Sequence, residues 1–190
     1  MKIVIWSGGA DSTLLLHDAL LVNPRGVVAL TLDHTQVNDR MQRHLQYEAR
    51  CRYLSWVRKT LGYRVDSRVI KVVLSKDAGA VGDVGQHGLF LAHLFPYMVG
   101  ERGTKNEVQF GYIRGDDFWH WRTAFRKAFD GFASVAYSEL ELSFPLEWTR
   151  KKEVLERLTK AKVPDNAWWT CDRPKSRRAC GKCIKCEAIR

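Results

Sequence analysis

Nowhere in the 190-residue chain do apolar residues run uninterrupted for the roughly 18 positions a membrane helix needs. The first residues read as a strand, not as a charged segment followed by an apolar signal core. Both absences lead us to expect a soluble, cytoplasmic protein with no membrane partner. Repeats, low-complexity tracts and Pro/Ser-rich linkers are missing too, which argues against repeat arrays and flexibly joined modules. With 45% hydrophobic residues, a chain of this length can bury a single core. Cysteine is sparse at five, an odd count, and four of the five fall within residues 171–190. That distribution speaks for a metal site in a reducing compartment and against a disulfide framework. Cys51, the one left over, lies in a helical pattern and reads as a packed, inert thiol.

Negative charge is also in deficit, leaving a formal net charge of +10. Such an excess suits a phosphate-rich partner, either nucleic acid or a nucleotide. Part of it is local: residues 171–190 hold seven basic residues against two acidic ones. Four thiolates around one divalent ion would remove two charges from the total.

What the chain does have is alternation. Strand-like runs at Lys2–Trp6, Val27–Asp33, Val65–Leu74, Glu107–Ile113 and Ala136–Leu142 are interleaved with helical patterns near 13–21, 38–61, 89–99, 119–132 and 149–160. This is the pattern of an α/β fold, a doubly wound parallel sheet with helices on both faces. Between the third strand and the helix at 89, Ser75–Gly88 holds four glycines and reads as a loop, long enough to act as a flap beside a ligand.

Directly after the first strand stands Ser7-Gly8-Gly9-Ala10-Asp11-Ser12. Ligands of open parallel sheets sit at the carboxyl ends of strands, and a helix N-terminus there presents N–H groups to an anion. Adjacent glycines clear the side chains from the approach. Ser7 and Ser12 add hydroxyls, and Asp11 suits a helix cap or a magnesium ion on phosphates. The Gly-x-x-x-x-Gly-Lys-Ser/Thr loop of Walker A proteins is absent. Asp33, ending the second strand, would lie on the same sheet edge and suits a nucleotide contact or a plain polar strand end.

Cys171, Cys180, Cys183 and Cys186 form C-x8-C-x2-C-x2-C. Successive C-x-x-C turns aim their thiolates at one point, and a histidine-free set of four leaves no open coordination position. Structural zinc is the preferred reading, since a segment this polar needs a metal to fold. An iron–sulfur cluster, a redox dithiol and a nucleic-acid-binding knuckle remain as alternatives.

The six-residue loop matches the Ser-Gly-Gly-x-Asp-Ser motif of PP-loop pyrophosphatases, which split ATP between its α and β phosphates. With the cysteine tail, the chain resembles the 7-cyano-7-deazaguanine synthases of that group from end to end. Asp33-His34-Thr35-Gln36 keeps the outer positions of a family Asp-Tyr-Gly-Gln. The family's Pro-Gly-Arg-Asn block aligns with Val84-Gly85-Gln86-His87, so Gln86 and His87 replace an arginine and an asparagine. Gly111, Asp116 and Arg122 can take the places of family residues that hold the deazaguanine acid. Phe118-Trp119-His120-Trp121 between them departs from the family, its aromatics fit either to stack on a base or to start a packed helix. Pro145-Leu146 with Lys151 and Glu153 reproduces Pro-Leu-x-x-x-x-Lys-x-Glu, which puts Lys151 near the nucleotide.

The resemblance implies a PP-loop nucleotide-binding domain over residues 1–164, with a zinc-binding tail at 165–190 packed on it. It implies a ligase that turns 7-carboxy-7-deazaguanine and ammonia into the nitrile through an adenylate, in queuosine or related deazaguanine synthesis. ATP, Mg2+ and structural Zn2+ are the implied cofactors. Ser7, Asp11, Ser12 and Lys151 are the implied catalytic set. The loop, Asp33 and Gln36 would contact the nucleotide, and Gln86, His87, Asp116 and Arg122 the acid. A homodimer is expected, and nucleic acid is not expected as the direct substrate. The rivals are a PP-loop enzyme that adenylates a tRNA base for thiolation and a nucleotide- or nucleic-acid-binding relative without turnover.

Overall fold

Short β-branched runs separated by helical stretches fold here into one parallel sheet. The computed structural model describes residues 1–34, 40–72 and 81–187. Among them, strands β1 (Lys2–Ile5), β2 (Val27–His34), β3 (Asp66–Val72), β4 (Lys105–Phe110) and β5 (Glu139–Ser143) lie in the order β3-β2-β1-β4-β5, each neighbouring pair parallel. Parallel neighbours need crossovers. These run through helices α1 (Ala10–Val22), α2 (Arg40–Trp56), α3 (Val81–Met98) and α4 (Arg122–Ala133), and α5 (Lys151–Lys160) follows β5. The order reverses between β1 and β4, so the carboxyl ends of those strands flank the crevice that open parallel sheets use for ligands. This is the expected doubly wound α/β class, with the four tail cysteines clustered at the C-terminal end. No helix among the described residues is long and apolar enough to cross a membrane.

Alternate residues along β1, and Trp6 just after it, enter opposite cores. Val4 and Trp6 join Leu14, Leu15, Val154 and Leu158 on the α1 and α5 side, while Ile3 and Ile5 join Phe90, Leu94, Phe110, Phe125 and Phe129 on the α3 and α4 side. Each such side chain, fully buried, contributes roughly 1.5–3 kcal/mol. Burial on both faces fixes where β1 ends, and so where the next six residues begin.

Three expectations change. Positions 81–88 are the first turns of α3, not a loop; residues 73–80 lie outside the described part. Glycine costs a helix roughly 1 kcal/mol per residue relative to alanine, but Phe90, Leu91, Leu94 and Met98 anchor α3 in the core, and packing overrides propensity there. Pro96 is also inside the helix. In the aromatic block, Asp117–His120 is a 3-10 turn and α4 starts only at Arg122. Phe118 is buried while Trp121 is 63% exposed, so the block divides between core and solvent. Cys51 is exposed on α2, not packed, because the buried face of that helix runs through Leu45, Ala49 and Tyr53.

Candidate functional site

Trp6 ends the buried strand run, and its indole Nε1 donates to Thr13 Oγ1 at 3.0 Å, tying the strand end to the first turn of α1. Between these anchors the loop folds on itself. Ser7 N–H donates to Ser12 Oγ at 3.2 Å, the two hydroxyls lie 3.1 Å apart, and Ser12 Oγ donates to Gly9 O at 3.2 Å. Gly8 has φ +89°, and a Cβ there would stand 2.7 Å from the Gln46 carbonyl oxygen of α2. Only glycine satisfies both constraints. Gly9 is the N-cap of α1 and brings no side chain to the first-turn N–H groups. Those groups have no intrahelical partner and carry the positive end of the helix dipole, a setting that favours an anion.

Three further contacts brace the loop. Arg50 of α2, buried, donates from Nη1 to the Ser7 carbonyl at 2.8 Å, and desolvation pulls its pKa below the usual arginine value. A Cβ at Gly111, just past β4, would come within 3.0 Å of Ser12 N. Trp169 N–H donates to Gly8 O at 2.9 Å, so the tail is hydrogen-bonded to the loop itself.

In front of the loop opens a cavity of about 540 Å³, within the size range of small-molecule sites. Ile5, Leu32, Phe90, Phe110 and Tyr112 supply apolar wall, with the Tyr112 ring stacked 3.5 Å from that of Phe118. The polar lining includes Ser7, Asp11, Ser12, Gln42, Asp116 and Lys151. Lys151, the first residue of α5, donates to both Asp11 oxygens at 2.9 and 2.8 Å; the two side chains are only 10% and 20% exposed. Thr170, Asp172, Arg173 and Lys185 complete the wall from the tail. Asp172 takes a hydrogen bond from Gln42 Nε2 at 3.0 Å and an ion pair from Lys185 at 3.0 Å. Desolvation works against charge on Lys185, yet Asp172, Asp116 and Asp11 together outweigh it and lift its pKa above the ordinary lysine value.

The four tail cysteines converge, with all four sulfurs within 4.8 Å of one another. Backbone N–H groups are aimed at sulfur: Cys180 N to Cys171 Sγ at 3.2 Å, and Cys183 N and Lys182 N to Cys180 Sγ at 3.3 and 3.4 Å. The Lys182 and Cys183 donors hold the Cys180 thiol below its usual pKa. At Cys183, N–H donors from Asp172 and Cys186 overcome desolvation and bring the value to about 6, whereas burial pushes Cys171 up to about 12. Donors directed at sulfur stabilise thiolates, the form that binds metal. The group could hold a metal ion.

Of the residues singled out from sequence, the structure brings Ser7, Gly9, Ala10, Asp11, Ser12, Asp116 and Lys151 to one cavity. Asp33 does not line it and pairs with Arg43 of α2 at 3.7 Å. Arg122 is not among the lining residues either; it pairs with Glu147 at 3.1 Å beside the Trp148 ring. Gln86 and His87 fall on α3 with side chains outside the described part, and Gln36 lies outside it altogether. Sequence reasoning missed the tail's share, Thr170, Asp172, Arg173 and Lys185, together with Gln42 and Tyr112. A basic segment reads as a solvated face, and nothing in its pattern says that it folds back over β1.

A family model described as queuosine biosynthesis protein QueC matches residues 100–190. Among solved structures, the U34-tRNA thiolase NcsA from Methanococcus maripaludis, determined with its [4Fe-4S] cluster, is similar at TM-score 0.51 and 9% identity. All of this chain is covered in that comparison, and it spans 64% of the thiolase's length.

Proposed function

From a chain that is QueC-like and has the PP-loop fold, we propose an ATP-dependent ligase that converts 7-carboxy-7-deazaguanine and ammonia to 7-cyano-7-deazaguanine. The observation that carries this reading is the cavity itself. An uncapped helix N-terminus, the Asp11–Lys151 pair and an apolar wall ending in Tyr112 and Asp116 meet in one space large enough for a nucleotide's phosphates and a flat bicyclic acid.

A carboxylate cannot lose oxide to ammonia, so its oxygen must first be joined to a phosphorus. In the proposed step a carboxylate oxygen attacks the α phosphate, the bond to the β phosphate breaks, and pyrophosphate leaves. Ammonia then displaces AMP and gives the amide. A second round, with the amide oxygen attacking another ATP, expels AMP and leaves the nitrile. First-turn amides of α1, Ser7, Ser12 and Lys151 neutralise the phosphate charge as it shifts toward the leaving group. Asp11 would hold Mg2+ together with phosphate oxygens. Asp116 and the Tyr112 ring would orient the acid, and no side chain needs to act as a covalent nucleophile.

For the cysteines we propose structural zinc. Tetrahedral Zn–S bonds of about 2.3 Å put sulfurs about 3.8 Å apart, and two of the pairs here lie at 4.0 Å. A cubane cluster places four iron atoms between its ligands and needs a wider set. The thiolase neighbour favours a second reading, adenylation of a tRNA base for sulfur insertion. Incubating the protein with ATP, Mg2+, ammonia and the acid, with products read by mass, separates the two. The nitrile with AMP and pyrophosphate is expected. No acid-dependent ATP consumption, with iron and acid-labile sulfide in the protein, overturns the reading in favour of the thiolase type.

A further inference from the structure

The residues between the cysteines are as informative as the cysteines. Lys185 lies between Cys183 and Cys186, Asp172 follows Cys171, and both face the cavity in front of the phosphate loop. Their side chains pair at 3.0 Å, and Gln42 of α2 donates to the same Asp172 oxygen, Oδ1, at 3.0 Å. The segment is tied down on either side of that pair. Trp169 N–H is bonded to Gly8 O and its indole Nε1 to Cys171 O at 2.8 Å, and Arg177 pairs with Glu48 of α2. A metal at the four sulfurs would lock Cys171 to Cys183 and Cys186, and so lock Asp172 against Lys185.

We propose that Lys185 is an anion-binding residue of the active site, delivered to the cavity wall beside Asp172 by the metal-loaded cysteine knuckle. This rests on the ATP-ligase reading and extends it. The cavity's loop side carries one ammonium already committed to Asp11, while two anionic reactants must share the space. Lys185, with Arg173 of the same tail, adds positive charge to the wall, and an anion reaching it would share its ammonium with Asp172; that anion is the polyphosphate or the carboxylate of the acid. Because one segment bears both the metal ligands and the anion contact, metal occupancy and ligand affinity are linked, each raising the other.

The test is calorimetric titration of the metal-loaded protein with a non-hydrolysable ATP analogue and, separately, with the acid, beside measurement of bound metal. Lys185→Ala should weaken one ligand about tenfold, the scale of a lost charge-assisted hydrogen bond, with metal content unchanged. Loss on the analogue identifies the phosphate as the partner; loss on the acid identifies the carboxylate. Lys185→Arg should recover most of the affinity. Lys182→Ala, which removes a charge from the same knuckle but not from the cavity, should bind both ligands as the parent does. Equal affinities in Lys185→Ala and the parent overturn the inference, as does loss of metal in both Lys185 variants, which would make the residue a structural part of the knuckle. If the parent binds neither ligand, the ATP reading fails first and this inference falls with it.

Discussion

At the scale of single residues, the loop tolerates little. Gly8→Ala forces φ +89° on a β-carbon and sets that carbon against the Gln46 carbonyl. A loss of roughly 1–3 kcal/mol in denaturant melts is expected, with nucleotide binding lost as well. Lys151→Ala removes the partner of a largely buried Asp11. Turnover should fall about a hundredfold, the usual scale for one lost transition-state donor, measured as AMP release. His17 is buried, its Nδ1 has no hydrogen-bond partner among the described residues, and desolvation holds its pKa below 6.5 despite the pull of Asp18. As pH falls below 6.5 the unfolded chain therefore takes up this proton before the folded one. The contribution of His17 to stability is present above that pH and declines below it, by at most ~1.4 kcal/mol per unit. Asp18 works in the opposite sense, since burial raises its pKa and the folded state protonates first. The stability difference between His17→Gln and the parent in melts should be constant above pH 6.5 and change below it, and a difference that stays constant throughout would contradict the assignment.

At the scale of elements, the tail is the sensitive piece. Removing the metal by chelation, or Cys180→Ser, should loosen residues 169–187 while the sheet stays folded. Hydrogen exchange should rise there and at Ser7–Ser12, which Trp169 braces, and a rise confined to the tail would mean the two are uncoupled. This element also marks the limit of what was legible in the sequence. Ser7–Ser12 could be placed because a strand, two glycines and a helix follow one another locally. The cysteines could be grouped because their spacing is short. That Lys185 and Asp172 face the loop depends on contacts spanning most of the chain, such as Gln42 to Asp172, and no local pattern encodes them. The helix beginning at Val81 was hidden for a related reason. Its glycines argue against a helix locally, and only the packing of Phe90 and Leu94 against the sheet decides otherwise.

At the scale of the whole molecule, one reversal of strand order gathers the residues that line the cavity. The ends of β1 and β4 set the Ser7–Ser12 loop beside Gly111, α5 adds Lys151 to the cavity, and the tail adds Thr170, Asp172, Arg173 and Lys185. The charged residues lining this cavity balance, Asp11, Asp116 and Asp172 against Lys151, Arg173 and Lys185, so the formal charge of +10 belongs to the rest of the chain. What the arrangement is proposed to do is join an acid oxygen to the α phosphorus of ATP. Turnover with 18O-labelled acid tests that most directly, with AMP examined by mass spectrometry. The account predicts one label in each AMP released, with unlabelled pyrophosphate. Release of ADP and phosphate, or AMP that carries no label, would contradict it.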